Sequence, residues 1–290
     1  MVPTPRVAFV TMAAMPDGAP DDRLSFGAFE ARGLAPVPAV WEGAEVDWAG
    51  FDLAILRSTW DYHRRREEFL RWLDRVESLT TVLNPPTLVR WNSHKGYLLE
   101  LARQGHAVVP TELVRQDSAA TLRQVVRARG WTNVVVKPAV SASSEGLFRA
   151  GDPPSGEEEA RFAALRASSD LLVQPELAAV RDLGERSLVF FRGTFSHSAE
   201  YPYLLAEGIR SERYPTPRQP SADELNRCGR ILRSLPQVPL YARLDFMPRG
   251  PNDWLLGELE LIEPELLFRA DPTAGDRFAA ATRELLVSSS

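Results

Sequence analysis

Near its end the chain reads Arg243-Leu244-Asp245-Phe246 and then Gly257-Glu258-Leu259-Glu260-Leu261. Successive strand side chains point to opposite faces, so Glu258 and Glu260 share one face. Asp245, on the apolar run just before, can lie across from them. Three carboxylates on one sheet face repel unless a cation sits among them. Their hard oxygens suit Mg²⁺, above all where phosphate oxygens complete its shell. The plain alternative is an amphipathic strand turned to solvent. The neighbours Leu255, Leu256, Leu259, Leu261 and Ile262 are apolar, which favours an interior strand instead.

A lysine ends another apolar run, Val134-Val135-Val136-Lys137-Pro138, and the small residues Ser141, Ala142, Ser143, Ser144 and Gly146 follow. Small residues let backbone N–H groups approach a phosphate and form a nest around it. The spacing is not that of a P-loop. It is not a dinucleotide-binding turn either, because Leu147-Phe148-Arg149 continues as a strand rather than a helix. A third segment, Val173-Gln174-Pro175-Glu176-Leu177, passes from an apolar strand into a linker, with Gly184-Glu185-Arg186-Ser187 beyond it. Backbone amides there can pair with the edge of an adenine. Taken singly, each segment also has an ordinary reading as a hairpin loop or a strand end.

The elements that must position these residues follow from apolar periodicity. Val7–Met12, Val37–Val40 and Leu53–Leu56 read as short buried strands, with a loop over 16–22 and a helix over 23–32 between the first two. Phe69, Trp72, Leu73, Val76 and Leu79 fall at helical spacing within 64–79. Alternation of strand and helix implies an α/β layer with a parallel sheet. Asn84-Pro85-Pro86 breaks the pattern and marks a boundary. Beyond it, Asn92-Ser93 is expected to open a helix to Gln104, and Val108-Val109-Pro110 to be a strand. A helix over 119–129 precedes the lysine strand, and strands are expected at 171–174, 187–191 and 194–199. Ser155 with Glu158, and Ser221 with Glu224, have the spacing of capping boxes. The runs 240–246 and 254–261 read as a hairpin, and 273–286 as a closing helix. The expected domains are 1–85, 86–175 and 176–290.

The 290 residues carry a net charge of −5, which argues against a nucleic-acid binder. Arg64, Arg65 and Arg66 run into Glu67 and Glu68, a solvated helix face rather than a phosphate patch. Cys228 is the single cysteine, so no intrachain disulfide forms, and its helical setting without a nearby His gives no nucleophile. No apolar run approaches the ~20 residues that span a bilayer, and the apolar run after Arg6 is short for a signal peptide. The expectation is a cytoplasmic protein with no membrane and no nucleic-acid partner. A homodimer is left open.

The three chemical segments, in this order, resemble the ATP-grasp superfamily, as in glutathione synthetase and D-alanine–D-alanine ligase. The family usually ends Asp…Glu-x-Asn with a proline soon after. Here the stretch is Glu258-Leu259-Glu260-Leu261-Ile262-Glu263-Pro264, so Glu260 stands where Asn is commonest, and the glycine-rich loop is serine-rich. The likeness covers roughly 85–286, with 1–85 compatible with the family's first domain. The phrases Arg57-Ser58-Thr59-Trp60-Asp61-Tyr62, Asn84-Pro85, Trp91-Asn92-Ser93-His94-Lys95 and Phe195-Ser196-His197 are similar to the small ATP-grasp proteins of antibiotic biosynthesis, the group that includes the D-cycloserine ring-closing ligase.

The resemblance implies an ATP-grasp fold of the α/β class, with an N-terminal α/β domain and two α+β subdomains that clasp ATP. It implies that ATP and Mg²⁺ are used. Lys95 and Lys137, with the loop at Ser143 and Ser144, would meet the phosphates. Gln174, Glu176 and Leu177 would line the adenine hinge, and Glu185 would meet the ribose. Asp245, Glu258 and Glu260 would hold Mg²⁺, and Arg210, Arg243 and Lys137 would serve the transferred phosphoryl group. Arg57, Ser58 and Thr59, after a strand at the carboxyl edge of the first sheet, and His197 are the candidates for substrate contact. Arg57 would take a substrate carboxylate; its structural alternative is an ion pair with Asp61. His63 and His197 are also candidate acid–base groups, with a structural histidine as the alternative for each.

The implied activity is ATP-dependent joining of a carboxylate to an amine through an acyl-phosphate, on a small amino-acid-like substrate. Ring closure of an O-ureido-serine type of substrate is a special case. The alternatives are a phosphotransferase of the same fold and a non-catalytic nucleotide-binding protein. The intact acidic set argues against the last.

Overall fold

Val7, Phe9, Leu53 and Ile55 alternate with Ala8, Val10, Ala54 and Leu56, and both sets are buried, in separate clusters. Strands of this kind need cover on both faces, which a parallel sheet between helices provides. In the computed structural model of the chain, which describes residues 3–201 and 215–288, the sheet is parallel. It contains β1 (Arg6–Thr11), β2 (Ala35–Val40), β3 (Leu53–Ser58) and β4 (Thr81–Leu83), in the order β2-β1-β3-β4. The helix Arg66–Val76 covers one face through Phe69, Trp72, Leu73 and Val76. The closing helix Ala274–Ser288 covers the other, with Phe278 edge-on to Phe9 and Phe29.

The second sheet holds β5 (Glu112–Val114), β6 (Asn133–Pro138), β7 (Phe148–Gly151) and β8 (Leu171–Pro175), in the antiparallel order β5-β8-β6-β7. Val134, Val136, Leu171 and Val173 pack in one cluster with Leu122, Val126 and Phe162 of the helices Leu122–Arg129 and Gly156–Arg166. The alternation then turns Val135, Lys137 and Gln174 to the opposite face. The third sheet contains β9 (Glu185–Phe191), β10 (Thr194–Tyr201), β11 (Thr216–Pro217), β12 (Tyr241–Gly250) and β13 (Asp253–Glu260), in the order β11-β10-β9-β12-β13. Both expected capping boxes form, at Ser155 and Ser221, and a third forms at Thr121 with Gln124.

Four local expectations are corrected. Asn92-Ser93 closes a helix, Pro86–Asn92, instead of opening one. Pro86 at the first helical turn is favourable because its missing N–H would have had no partner there. Residues 20–23, partly inside the expected loop, form a short helix of their own. Val108 makes only an isolated bridge to Leu256, and the strand begins at Glu112. Finally, β13 is an edge strand, not an interior one. It reads as interior because its free edge is closed by other means. Asn92 Nδ2 donates to Leu259 O at 2.8 Å, and the Leu261 N–H donates to Asn92 Oδ1 at 2.9 Å. The Leu259 N–H donates to the Tyr97 hydroxyl, and Leu256 exchanges backbone bonds with Ala107 and Val109. An edge covered in this way is protected from pairing with another chain. Among the described residues no helix is long and apolar enough to cross a membrane.

Candidate functional site

The antiparallel register places Asp245 opposite Glu258 and Arg243 opposite Glu260, with a bulge directly after Asp245. All four line a cavity of about 480 Å³. Lys95, Lys137, Ser143 and Ser144 reach the same cavity, and Gln174, Glu176, Leu177 and Glu185 line it from the side of β8 and β9. Residues from four separate parts of the chain thus meet on one lining.

Each side chain is positioned by a nearby backbone feature. Lys137 ends β6 and is 8% exposed. Burial pulls its ammonium below the usual lysine range, and the charge of Lys95 adds to that, against the attraction of Glu258. Among the described residues it has no hydrogen-bond acceptor, which suits it to an incoming anion. Lys95 sits in the turn after the helix Pro86–Asn92, held by its N–H to Ala139 O at 2.7 Å, and its ammonium bonds Glu258. Burial would lower Lys95, but Glu258 outweighs it and the group is raised. Ser143 and Ser144 have φ of 51° and 58° and Gly146 has 78°, so the loop after β6 bends through left-handed backbone. Such backbone aims successive N–H groups to one side. A side chain at Gly146 would collide with Pro138, 2.8 Å from its Cγ. Glu145 ties the loop to the first sheet's loop, accepting from Arg64 at 2.8 Å and bonding His63 at 3.1 Å. Gln174 donates to Thr111 at 2.8 Å, and Glu176 accepts from Arg149 and Arg181.

The acidic set is electrostatically crowded. Arg243 donates to both oxygens of Asp245 and, at 2.5 Å, to Glu260, while the Ser187 hydroxyl donates to Asp245 at 2.6 Å. Burial would raise Glu258, but Lys95 and Lys137 hold it down to about 2. Glu260 goes the other way: burial, with Asp245, Glu258 and Glu263 nearby, keeps it well above the carboxylate range despite Arg243. Each of the three carboxylates is thus paired with a protein cation, Glu258 with Lys95, and Asp245 and Glu260 with Arg243. Among the described residues no three His, Cys, Asp or Glu side chains are grouped closely enough to enclose a metal alone. Asp245 and Glu258, opposite each other in the register, would supply the one or two carboxylates that Mg²⁺ takes, with water and phosphate oxygens completing its shell. The donor set fits the ion.

The four expected substrate contacts lie elsewhere, and Arg57, Ser58 and His197 have partners that explain their positions. Arg57 is 1% exposed and pairs with Asp22 at 2.9 Å, not with Asp61 and not with the cavity. Asp61 instead bonds Arg65 and Trp41. The Ser58 hydroxyl donates to Thr11 at 2.9 Å, and Thr59 is fully buried. His197 is 5% exposed, with Nε2 2.7 Å from Leu266 O, and burial holds it below the usual histidine range. Arg210 lies outside the described residues. Sequence reasoning gave no role to Trp60, Tyr62, Tyr97, Glu263 or Glu265, which also line the cavity. The only signal for Glu263 was its place three residues after Glu260.

With this geometry in place, comparisons with known proteins bear on it. The family model described as "D-cycloserine synthetase DcsG, N-terminal domain" matches residues 7–84. The cycloserine biosynthesis protein DcsG of Streptomyces lavendulae is 30% identical over 262 residues, which is 85% of this chain and 87% of that one. The crystal structure of D-cycloserine synthetase DcsG superposes with a TM-score of 0.89 at 28% identity, covering 97% of this chain and 99% of that one. D-alanine–D-alanine ligase from Bacillus anthracis complexed with ATP has a TM-score of 0.67 at 12% identity, covering 98% and 97%. The ATP-grasp ligase PsnB complexed with minimal precursor, Mg and ADP has 0.64 at 15%, covering 97% of each chain. These last two share the fold.

Proposed function

The chain belongs to the DcsG family of ATP-grasp ligases, ATP-dependent enzymes that form C–N bonds, and from that premise we propose that it activates an amino-acid-like carboxylate as its acyl-phosphate. An amine-type nitrogen then displaces the phosphate. Where one substrate carries both groups, as an O-ureido-serine would, the product is a ring of the cycloserine type. The similarity to a cycloserine biosynthesis protein supports that choice of substrate.

The observation that carries the reading is the single lining shared by Lys95, Lys137, Asp245, Glu258 and Glu260. Phosphoryl transfer needs positioning and charge neutralisation more than covalent help. Lys137, without a protein acceptor among the described residues, contacts phosphate oxygens of ATP. Lys95 does the same from across the cavity. The N–H groups of the loop at Ser143 and Ser144 close on the phosphates and exclude water, which would otherwise hydrolyse an acyl-phosphate. The adenine lies along Gln174, Glu176 and Leu177, and the ribose near Glu185. Asp245, Glu258 and Glu260 would hold Mg²⁺, which neutralises charge on the phosphate oxygens when bound. Arg243, at the end of the acidic set, stabilises the transferring group.

A carboxylate oxygen attacks the γ-phosphorus, and ADP leaves. The nitrogen nucleophile then adds to the acyl carbon, and inorganic phosphate departs with the former carboxylate oxygen. Substrate labelled with ¹⁸O in its carboxylate tests this. Label is expected in the released phosphate, and product formation with unlabelled phosphate would refute the acyl-phosphate route.

A further inference from the structure

After β13 the chain runs without regular structure through Leu261–Ala270, yet side chains from elsewhere in the fold fix its backbone. Trp60 Nε1 donates to Glu263 O at 2.9 Å, Arg57 to Pro264 O at 2.6 Å and Arg243 to Glu265 O at 3.0 Å. His197 bonds Leu266 O, and the Phe268 and Arg269 N–H groups donate to Asp21. Irregular backbone in a protein interior must satisfy its polar groups this way. The donors come from the first sheet and from the third, so the segment is clamped between them.

The clamp acts on main-chain atoms and leaves the Glu263 side chain at the cavity wall. Among the described residues, no other residue bonds its carboxyl or pairs with it. Its neighbour Glu265, by contrast, pairs with Arg269 at 2.9 Å. The charged and titratable groups facing Glu263 are Lys95 from the turn, Glu258 and Glu260 from β13, Arg243 and Tyr241 from β12, and Tyr62 from the first sheet's loop. A carboxyl that is rigidly held, unpaired and next to the phosphate-binding cations has no folding role to explain it.

We propose that Glu263 is the general base of the second half-reaction, accepting the proton of the attacking nitrogen as it adds to the acyl-phosphate. This rests on the ligase chemistry proposed above. The nitrogen lone pair forms the C–N bond, the C–O bond to phosphate breaks with its electron pair leaving on phosphate, and the N–H proton passes to a Glu263 oxygen. Burial pushes the Glu263 carboxyl up to about 7, with Lys95 opposing and Glu258 adding to the rise.

The test uses the full-length enzyme, with an O-ureido-serine as substrate and two readouts: product formation, and acyl-phosphate trapped by borohydride reduction. In Glu263→Gln, product formation falls about 10²- to 10⁴-fold, while trapped acyl-phosphate per enzyme rises above the wild-type level. Glu263→Asp, which keeps the carboxylate, recovers part of the rate. The acid-side fall of the wild-type single-turnover rate disappears in Glu263→Gln. Wild-type turnover in Glu263→Gln overturns the proposal, and so does loss of product and trapped intermediate together in a variant that keeps its circular dichroism and ATP affinity. Absence of any trapped intermediate in the wild type instead strikes the acyl-phosphate reading itself.

Discussion

Replacing Arg57 by methionine separates a structural role from a substrate contact. The guanidinium donates twice to Asp22 Oδ1, at 2.9 and 3.0 Å, and once to Pro264 O, and it stacks 5.0 Å from the centre of the Tyr241 ring. Both charges of the pair are nearly fully buried. Removing one partner leaves an uncompensated buried carboxylate, which costs about 3–5 kcal/mol. A buried ion pair of this kind gains little over apolar residues of the same volume, because desolvating both charges offsets their attraction. The double variant Asp22→Leu/Arg57→Met should therefore be more stable than Arg57→Met alone. Urea unfolding followed by circular dichroism measures all three. A loss below about 1 kcal/mol in Arg57→Met, with a raised KM for the carboxylate substrate, would refute the assignment. It would return Arg57 to the substrate.

Asp245→Asn and Glu258→Gln should each abolish Mg²⁺-dependent ADP release while circular dichroism stays native. Lys137→Ala should weaken ATP binding about 10- to 100-fold, the loss of one charged hydrogen bond, as read by calorimetry. Glu145→Gln should raise the KM for ATP about 2- to 5-fold, the scale of a screened surface ion pair, without moving Tm; an unchanged KM would mean the loop holds its shape unaided. Burial would raise Glu224, but hydrogen bonds from Arg218 and Ser221 hold it down to about 2. A depressed carboxyl contributes stability above its unfolded value that is lost as pH falls toward its folded one. Wild-type stability should thus decline between about pH 5 and 2, and Glu224→Gln should show a shallower decline over that window.

The parts of this molecule that could be read from the sequence are those governed by short-range periodicity. A period of two puts Glu258 with Glu260, and Lys137 away from Val134 and Val136. A period of 3.6 gives the buried face of the helix Arg66–Val76. The capping boxes at Ser155 and Ser221 are three-residue signals. What escaped depends on partners remote in sequence. The ion pair expected as Arg57's structural alternative is with nearby Asp61, but the partner is Asp22, 35 residues away. The apolar sequence of β13 suggested an interior strand, because a strand edge sealed by Asn92 and Tyr97 excludes water as a neighbouring strand would. His197, a substrate candidate through the phrase Phe195-Ser196-His197, instead binds a main-chain carbonyl with its ring.

The Arg57 and His197 readings share one physical cause, and it shows how the cavity is built. In this fold the irregular segment 261–270 lies at the junction of the first and third sheets. Irregular backbone buried there leaves carbonyl and N–H groups that must be bonded. Arg57, Trp60, His197 and Asp21 are polar residues in otherwise apolar surroundings because they meet that need. Asn84 does the same one step earlier, donating to Tyr241 O and Leu261 O at 2.8 Å each. From sequence, a buried polar residue that bonds main chain and one that meets substrate look alike. The difference appears in the fold, where these side chains point at the segment 261–270 and Glu263, carried by that segment, points at the cavity.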